Sequence, residues 1–310
     1  MRVAVMGAGA IGGYFGARLA RAGEPVALIA RGEHLQAIEA RGLAVESVEG
    51  DFTVRVPATD DPSRVPTLIG PVDLVLFCVK SYDTERAAEA IRPLLGPETA
   101  VLSLQNGVIN EETLGALLGS ERILGGLVYG FAVIRAPGVI RHTQGGRIVF
   151  GELDGRRSAR AAAFVDAGRK AGFPVELSDN IRRALWEKYL MICALSGMTA
   201  VTRRPIGDIR ACVESRGLYR MMLEELAALA KAEGIGLADE VVERGLTAAD
   251  ALKPDSYSSL YHDLTQGRRL EIEALQGHAV RLGARHGIPT PALFAVYAAL
   301  RPAAVAAERA

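Results

Sequence analysis

The chain of 310 residues carries 36 lysines and arginines against 36 aspartates and glutamates, a formal net charge of zero. That balance argues against a basic nucleic-acid binder, which needs a cationic surface to release counterions from phosphate, and against an acidic tail or polybasic membrane patch. With 49% hydrophobic and 23% charged residues the composition is that of an ordinary globular protein, and ~100–200 residues per domain point to two domains.

The first half alternates short β-branched runs with amphipathic helical stretches, the signature of a parallel βαβ sheet. Strands are expected at Val3–Met6, Val26–Ala30, Leu74–Val79 and Ala100–Leu104, with helices at Ile11–Ala22, His34–Arg41 and Asp83–Arg92. Residues 123–150 read as strand, with turns at Ala136-Pro137-Gly138 and at Gly145-Gly146. A helix over 157–171 and a strand over 174–177 precede the polar stretch Ser178-Asp179-Asn180. Beyond it strand signals almost vanish, and helices are expected over 181–201, 215–233, 239–251, 268–286 and 291–304. In the fourth, Ile272, Leu275, Ala279, Leu282 and His286 repeat at helical spacing. The expected fold is α/β: a Rossmann-type, doubly wound parallel sheet over 1–179, then an all-helical domain over 180–310.

The three cysteines, Cys78, Cys193 and Cys212, are odd in number and form no C-x-x-C, so they read as buried reduced thiols rather than a disulfide framework or zinc site. The longest uncharged apolar stretches, 123–134 and 189–202, hold 12 and 14 residues, short of the ~20 a membrane span needs. A soluble, cytoplasmic protein with neither nucleic-acid nor membrane partners is expected. His278 and His286 sit eight apart with no third ligand at a useful spacing, so no metal is expected. The apolar helices pack either internally or across a homodimer.

Gly7-Ala8-Gly9-Ala10-Ile11-Gly12 places G-x-G-x-x-G directly after an apolar strand and at the start of a helix. Gly7 permits the tight turn, Gly9 lets backbone approach a pyrophosphate, and Gly12 allows close helix–strand packing. Backbone N–H groups and the helix dipole then hold the anion. At the end of the second strand, where NAD and FAD sites carry an acid for the ribose 2′-hydroxyl, stands Arg31. A guanidinium there pairs bidentately with a 2′-phosphate, favouring NADP over NAD and over a flavin. Glu33, two residues on, keeps NAD open. Two further loops follow strands at the same edge: Lys80-Ser81, whose lysine suits the adenosine phosphate, and Gln105-Asn106-Gly107. Asn106 has a donor and an acceptor, enough to bridge a nicotinamide and a substrate, although Asn-Gly after a strand is most often a plain turn.

Lys188 opens the 14-residue uncharged stretch, with Ile192 and Ser196 at i+4 and i+8 on roughly its face. A lysine in that setting ordinarily snorkels to solvent. Ser258-Ser259 and Glu271-Ile272-Glu273 read, taken alone, as a helix cap and an exposed acidic face.

Together these pieces resemble the ketopantoate reductase family (2-dehydropantoate 2-reductases). The matches run in order over nearly the whole chain: Gly7–Gly12, Val79-Lys80, Gln105-Asn106-Gly107, residues 180–188, Ser258-Ser259, and Glu271-Ile272 with Gly277. The resemblance implies NADPH-dependent reduction of a small 2-oxo acid to a 2-hydroxy acid, a step in pantothenate biosynthesis. Carried over position by position, it implies Lys188 as proton donor and Asn106 against both nicotinamide and substrate. Lys80 and Ala132 would contact the cofactor, Ser259 the substrate, and Glu271 either of them; Lys188, Asn106 and Glu271 form the expected catalytic set. The family's characterised members carry substrate-binding asparagines where this chain has Ile192, Ser196 and Ile206. A pocket that loses amides becomes more apolar, which opens two alternatives: a different, more apolar 2-oxo or 2-hydroxy acid, NAD-linked in that case, or an NADP-binding sensor without catalysis.

Overall fold

The computed structural model describes residues 1–309. Its backbone clusters into two compact units: Met1–Gln105 with Asn110–Ile181, and Asn106–Ile109 with everything from Arg182 onward.

The first unit is built on one ten-stranded sheet: β1 (Val3–Met6), β2 (Val26–Ile29), β3 (Leu43–Ser47), β4 (Phe52–Val54), β5 (Ala58–Thr59), β6 (Leu74–Phe77), β7 (Ala100–Ser103), β8 (Ile123–Ala136), β9 (Val139–Glu152) and β10 (Val175–Leu177). The strands lie in the order β4-β3-β9-β8-β7-β6-β1-β2-β5, with β10 beside β9. β1 pairs in parallel with β2 and β6, β6 with β7, and β7 with β8. Helices α1 (Ala10–Arg21), α2 (Gly32–Arg41), α3 (Val65–Ile69), α4 (Thr84–Ile91), α5 (Asn110–Leu118) and α6 (Ala159–Lys170) complete it.

Both faces of the central strands are covered, which is why they read as unbroken apolar runs. Successive side chains enter opposite cores. Val3, Val5, Leu28, Leu74, Leu76 and Leu102 pack with Phe15 of α1 and Phe164 of α6, whereas Ala4, Ile29, Val75, Phe77 and Val101 pack with Ala87 and Ile91 of α4 and Leu114 of α5. The doubly wound α/β arrangement is the one expected.

Local differences have physical reasons. The turn at Ala136-Pro137-Gly138 joins β8 to β9 as anticipated, with Gly138 at φ 74°. Gly145-Gly146 does not turn the chain. Tyr129 pairs with Arg147 and Gly130 with Gly145, so Gly146 is an extra residue, a bulge that both glycines reach with positive φ. Among the cysteines, all free, Cys193 is buried and Cys78 half-buried, but Cys212 is exposed, which corrects the expectation of buried thiols there.

The second unit contains α7 (Ile181–Thr202), α8 (Ile206–Ala211), α9 (Val213–Ala232), α10 (Val241–Ala251), α11 (Ser259–Thr265), α12 (Gln276–His286) and α13 (Pro291–Arg309). They surround one core that includes Tyr189, Cys193, Met222, Leu226, Ile272, Leu282 and Val296. The helix expected over 268–286 begins only at Gln276. Ahead of it the chain turns tightly, the amides of Ala274 and Leu275 donating to the Glu271 carbonyl and that of Gly277 to the Ile272 carbonyl. Ile272, Leu275, Ala279 and Leu282 are buried but His286 is exposed, so the spacing reported burial correctly except at its last position, and a turn, not a helix, met its first two.

Candidate active site

The glycine segment has the shape a pyrophosphate requires. Gly7 sits at φ 91°, and a Cβ on it would lie 2.9 Å from Val79 Cγ1; a Cβ on Gly12 would lie 2.3 Å from the Gly7 carbonyl oxygen. Neither position tolerates a side chain. Around the Cβ position of Gly9, by contrast, no heavy atom lies within 4 Å, which leaves an open approach to the backbone at the N-cap of α1. The opening amides of a helix have no intrahelical acceptor and carry the positive end of its dipole, and α1 has no acid in its first turn. The residues present therefore fit the diphosphate of a dinucleotide.

The loop is fastened on two sides. The Ala8 amide donates to the Ile29 carbonyl at 2.9 Å, and the Ala8 carbonyl accepts from His34 Nε2 at 3.0 Å. His34 Nδ1 in turn accepts from the Gly138 amide, so the proton belongs on Nε2, and burial lowers the pKa of the ring. Sequence reasoning missed His34: nothing local marks a histidine two residues into a helix as the tie between the glycine loop and the β8–β9 turn.

Beside this cradle, at the carboxyl edge of the sheet, stand the other cofactor candidates. Arg31 is the N-cap of α2. Its side chain is 71% exposed and donates from Nη2 to Asp83 Oδ2 at 2.8 Å. Lys80 is half-buried and precedes the turn Ser81–Asp83, its carbonyl accepting the Asp83 amide at 2.9 Å. Ala132 lies on β8 opposite His142, next to a register shift. Gln105, buried at the end of β7, donates from Nε2 to the Val79 carbonyl and to Thr84 Oγ1, while its Oε1 finds no hydrogen-bond partner.

In the second unit Asn106-Gly107 does turn the chain, Gly107 having φ 110°, but Asn106 does more. Its Oδ1 accepts from Lys188 Nζ at 2.9 Å. Lys188 is only 8% exposed, which overturns the snorkelling expectation: the α7 face that carries it is covered. Along the same helix Ile192 is half-buried and Ser196 is buried. The Ser196 hydroxyl donates to the Ile192 carbonyl at 2.5 Å and receives Gln276 Nε2 at 3.3 Å, so its one proton is committed to the helix backbone. Ile206 is buried in the helical core.

Ser258 is a true helix cap: its Oγ accepts from the Tyr261 amide at 3.1 Å and lies 2.7 Å from Thr199 Oγ1. The Thr199 hydroxyl donates to the Leu195 carbonyl, which leaves Ser258 the donor between the two hydroxyls. Ser259 follows as the first residue of α11, half-buried. Glu271 contradicts the exposed-face expectation. It is 8% exposed and sits on the tight turn before α12 rather than on a helix.

A cleft of about 890 Å³ also opens on the first unit, lined by Arg2, Asp73 and Thr99. These residues precede β1, β6 and β7, at the amino ends of the strands, whereas ligands of such sheets bind at the carboxyl ends; the site of chemistry is not there. Among the described residues no group of three His, Cys, Asp or Glu side chains is placed to hold a metal ion, and no helix is long and apolar enough to cross a membrane.

Two family profiles match the chain: "Ketopantoate reductase PanE/ApbA" over residues 3–155 and "Ketopantoate reductase PanE/ApbA C terminal" over residues 180–304. The 2-dehydropantoate 2-reductase of Mesorhizobium japonicum is 33% identical over 98% of each chain. The crystal structure of a PanE/ApbA family ketopantoate reductase from Ralstonia eutropha superposes with a TM-score of 0.91 at 42% identity, covering 99% of this chain and all of that one. A ternary structure of D-mandelate dehydrogenase with NADH and anilino(oxo)acetate superposes with a TM-score of 0.90 at 25% identity over 99% of each chain.

Proposed function

The chain belongs to the ketopantoate reductase family, and from that premise we propose that it reduces 2-dehydropantoate to pantoate with NADPH, in pantothenate biosynthesis, with Lys188 as the proton donor. The observation that carries this reading is the buried ammonium of Lys188 held 2.9 Å from Asn106 Oδ1. A neutral amide oxygen orients the ammonium without neutralising it. When bound, the nicotinamide supplies the hydride that reaches the ketone carbon; the protein has to provide a proton for the oxygen. A positioned acid of this kind contributes ~10²–10⁴-fold.

Asn106 holds Lys188 through its oxygen and, as the resemblance implies, meets both nicotinamide and substrate. The glycine cradle with Ala8, Ala10 and Ile11 takes the pyrophosphate, Arg31 and Lys80 the adenosine phosphate, and Ala132 the cofactor. Ser259 binds the substrate, and Glu271 contacts the cofactor or the substrate.

A second reading is favoured by one observation. Ser196 offers no free proton and Ile192 is apolar, so this stretch of α7 gives a hydroxylated substrate little to bond. Because sites discriminate strongly through polar groups they can satisfy, a more apolar 2-oxo acid used with NADH is the alternative, in line with the NADH-bound D-mandelate dehydrogenase neighbour. The test is a panel of 2-oxo acids, including 2-dehydropantoate and phenylglyoxylate, assayed for oxidation of NADPH and of NADH. Highest kcat/KM for 2-dehydropantoate with NADPH supports the first reading. Preference for phenylglyoxylate with NADH replaces it with the second, and no turnover with any pair defeats both.

A further inference from the structure

Arg31, read above as the partner of a 2′-phosphate, is not a lone cation. Asp83 Oδ2 accepts from Arg31 Nη2 at 2.8 Å, and Asp83 Oδ1 lies 3.4 Å from Arg86 Nη2. Both arginine side chains are open to solvent, 71% and 69% exposed, whereas that of Asp83 is 16% exposed. The carboxylate is also well fixed. Its amide is tied to the Lys80 carbonyl, and Gln105 clamps the flanking residues through the Val79 carbonyl and Thr84 Oγ1. β1 lies between β2 and β6, so an ion pair from the loop after β2 to the loop after β6 spans the carboxyl end of β1, where the glycine segment begins.

We propose that Asp83 is a specificity-determining residue of the nucleotide site, supplying from the β6 loop the acid that the end of β2 lacks and so limiting the preference for a 2′-phosphorylated nucleotide. The proposal rests on the reading of Arg31 as the partner of the 2′-phosphate. A carboxylate at this place accepts a hydrogen bond from a ribose 2′-hydroxyl, as acids do in NAD sites. A 2′-phosphate with a charge of about −1.5 to −2 is repelled by the same carboxylate and must share Arg31 with it. Arg86, freed of Asp83, becomes a second cation for the phosphate.

Because the arginines are solvent-exposed, the interaction is screened and worth only several-fold in affinity. The probes are adenosine 2′,5′-bisphosphate and adenosine 5′-monophosphate, titrated calorimetrically into the full-length protein, so that no turnover is involved. Asp83→Asn is expected to tighten the bisphosphate about three- to tenfold and to leave the monophosphate unchanged or weaker, with the gain shrinking at high salt. An unchanged or reduced affinity ratio overturns the proposal. Asp83→Ser is the second variant, with the same expectation should the amide fold poorly. Arg31→Ala separates the two levels. If it does not weaken the bisphosphate, the 2′-phosphate reading itself fails. If it does, and the Asp83 variants leave the ratio untouched, only the role of Asp83 is lost.

Discussion

The glycine segment of the first unit and the Lys188 face of the second work by opposite means. At Gly7 and Gly12 the proposed nucleotide binding depends on atoms that are absent: a Cβ on Gly12 would fall 2.3 Å from the Gly7 carbonyl oxygen, and nothing lies within 4 Å of the Cβ position of Gly9. On α7 the proposed proton transfer depends on atoms that are present, an ammonium 2.9 Å from an amide oxygen 82 positions away in sequence. The first arrangement is specified within six residues and is carried by the backbone. The second exists only once the chain has folded, and it rests on two side chains. Adding a methyl should therefore damage the first region and deleting a side chain the second, with different readouts.

Gly12→Ala tests the backbone side with the largest expected effect. Overpacking costs ~1–3 kcal/mol and sometimes more, and a contact this short belongs at the upper end. At ~2–4 °C per kcal/mol for a domain of this size, thermal denaturation should drop by roughly 6–12 °C, with nucleotide affinity falling alongside in a fluorescence titration. A variant as stable as wild type would mean that the loop is softer than its contacts imply.

Acid sensitivity distinguishes the regions differently. Burial, helped by Arg281 and Arg285, pushes the His278 imidazole in the helical unit down to about 4 from its ordinary 6.5. Between those values the unfolded chain takes up a proton that the native state refuses, so stability is complete above pH ~6.5 and falls as pH drops toward 4. At 1.36 kcal/mol per pKa unit the loss is roughly 3 kcal/mol. Urea denaturation from pH 7 to pH 4 should show it, and His278→Phe should flatten part of that slope, the rest coming from groups such as His34, whose pKa burial also lowers.

Asn106→Ala removes one acceptor of the lysine. A hydrogen bond to a charged group is worth ~1.5–3 kcal/mol, so kcat should fall about 10- to 100-fold, with the melting temperature lower by several degrees at ~2–4 °C per kcal/mol. Ser258→Ala should be the mildest, costing ~1 kcal/mol through loss of the α11 cap, visible in denaturant titration and scarcely at all in kcat.

The same contrast explains what was legible in the sequence. β1, β2, β6 and β7 were legible because both faces are buried, and Gly7–Gly12 because its logic is local. β4, with only half-buried and exposed residues, gave no apolar run to read, and β5 spans two residues. The helix drawn over 268–286 was too long because Ile272 and Leu275 are buried in a turn. Lys188, Asn106 and Glu271 gave no local signal that set them apart from a snorkelling lysine, a turn and a surface acid, and only the ordered resemblance singled them out. His34 and Asp83 were silent for the same reason: each matters through a contact with a distant loop.

The most direct test of the account is Lys188→Met, assayed for the single-turnover rate of ketone reduction by the NADPH-loaded enzyme together with its affinity for NADPH. A rate ~10²–10⁴-fold below wild type with unchanged cofactor affinity is expected, since the glycine cradle is untouched. A rate within threefold of wild type would contradict it, for the buried ammonium beside Asn106 would then not be the source of the proton.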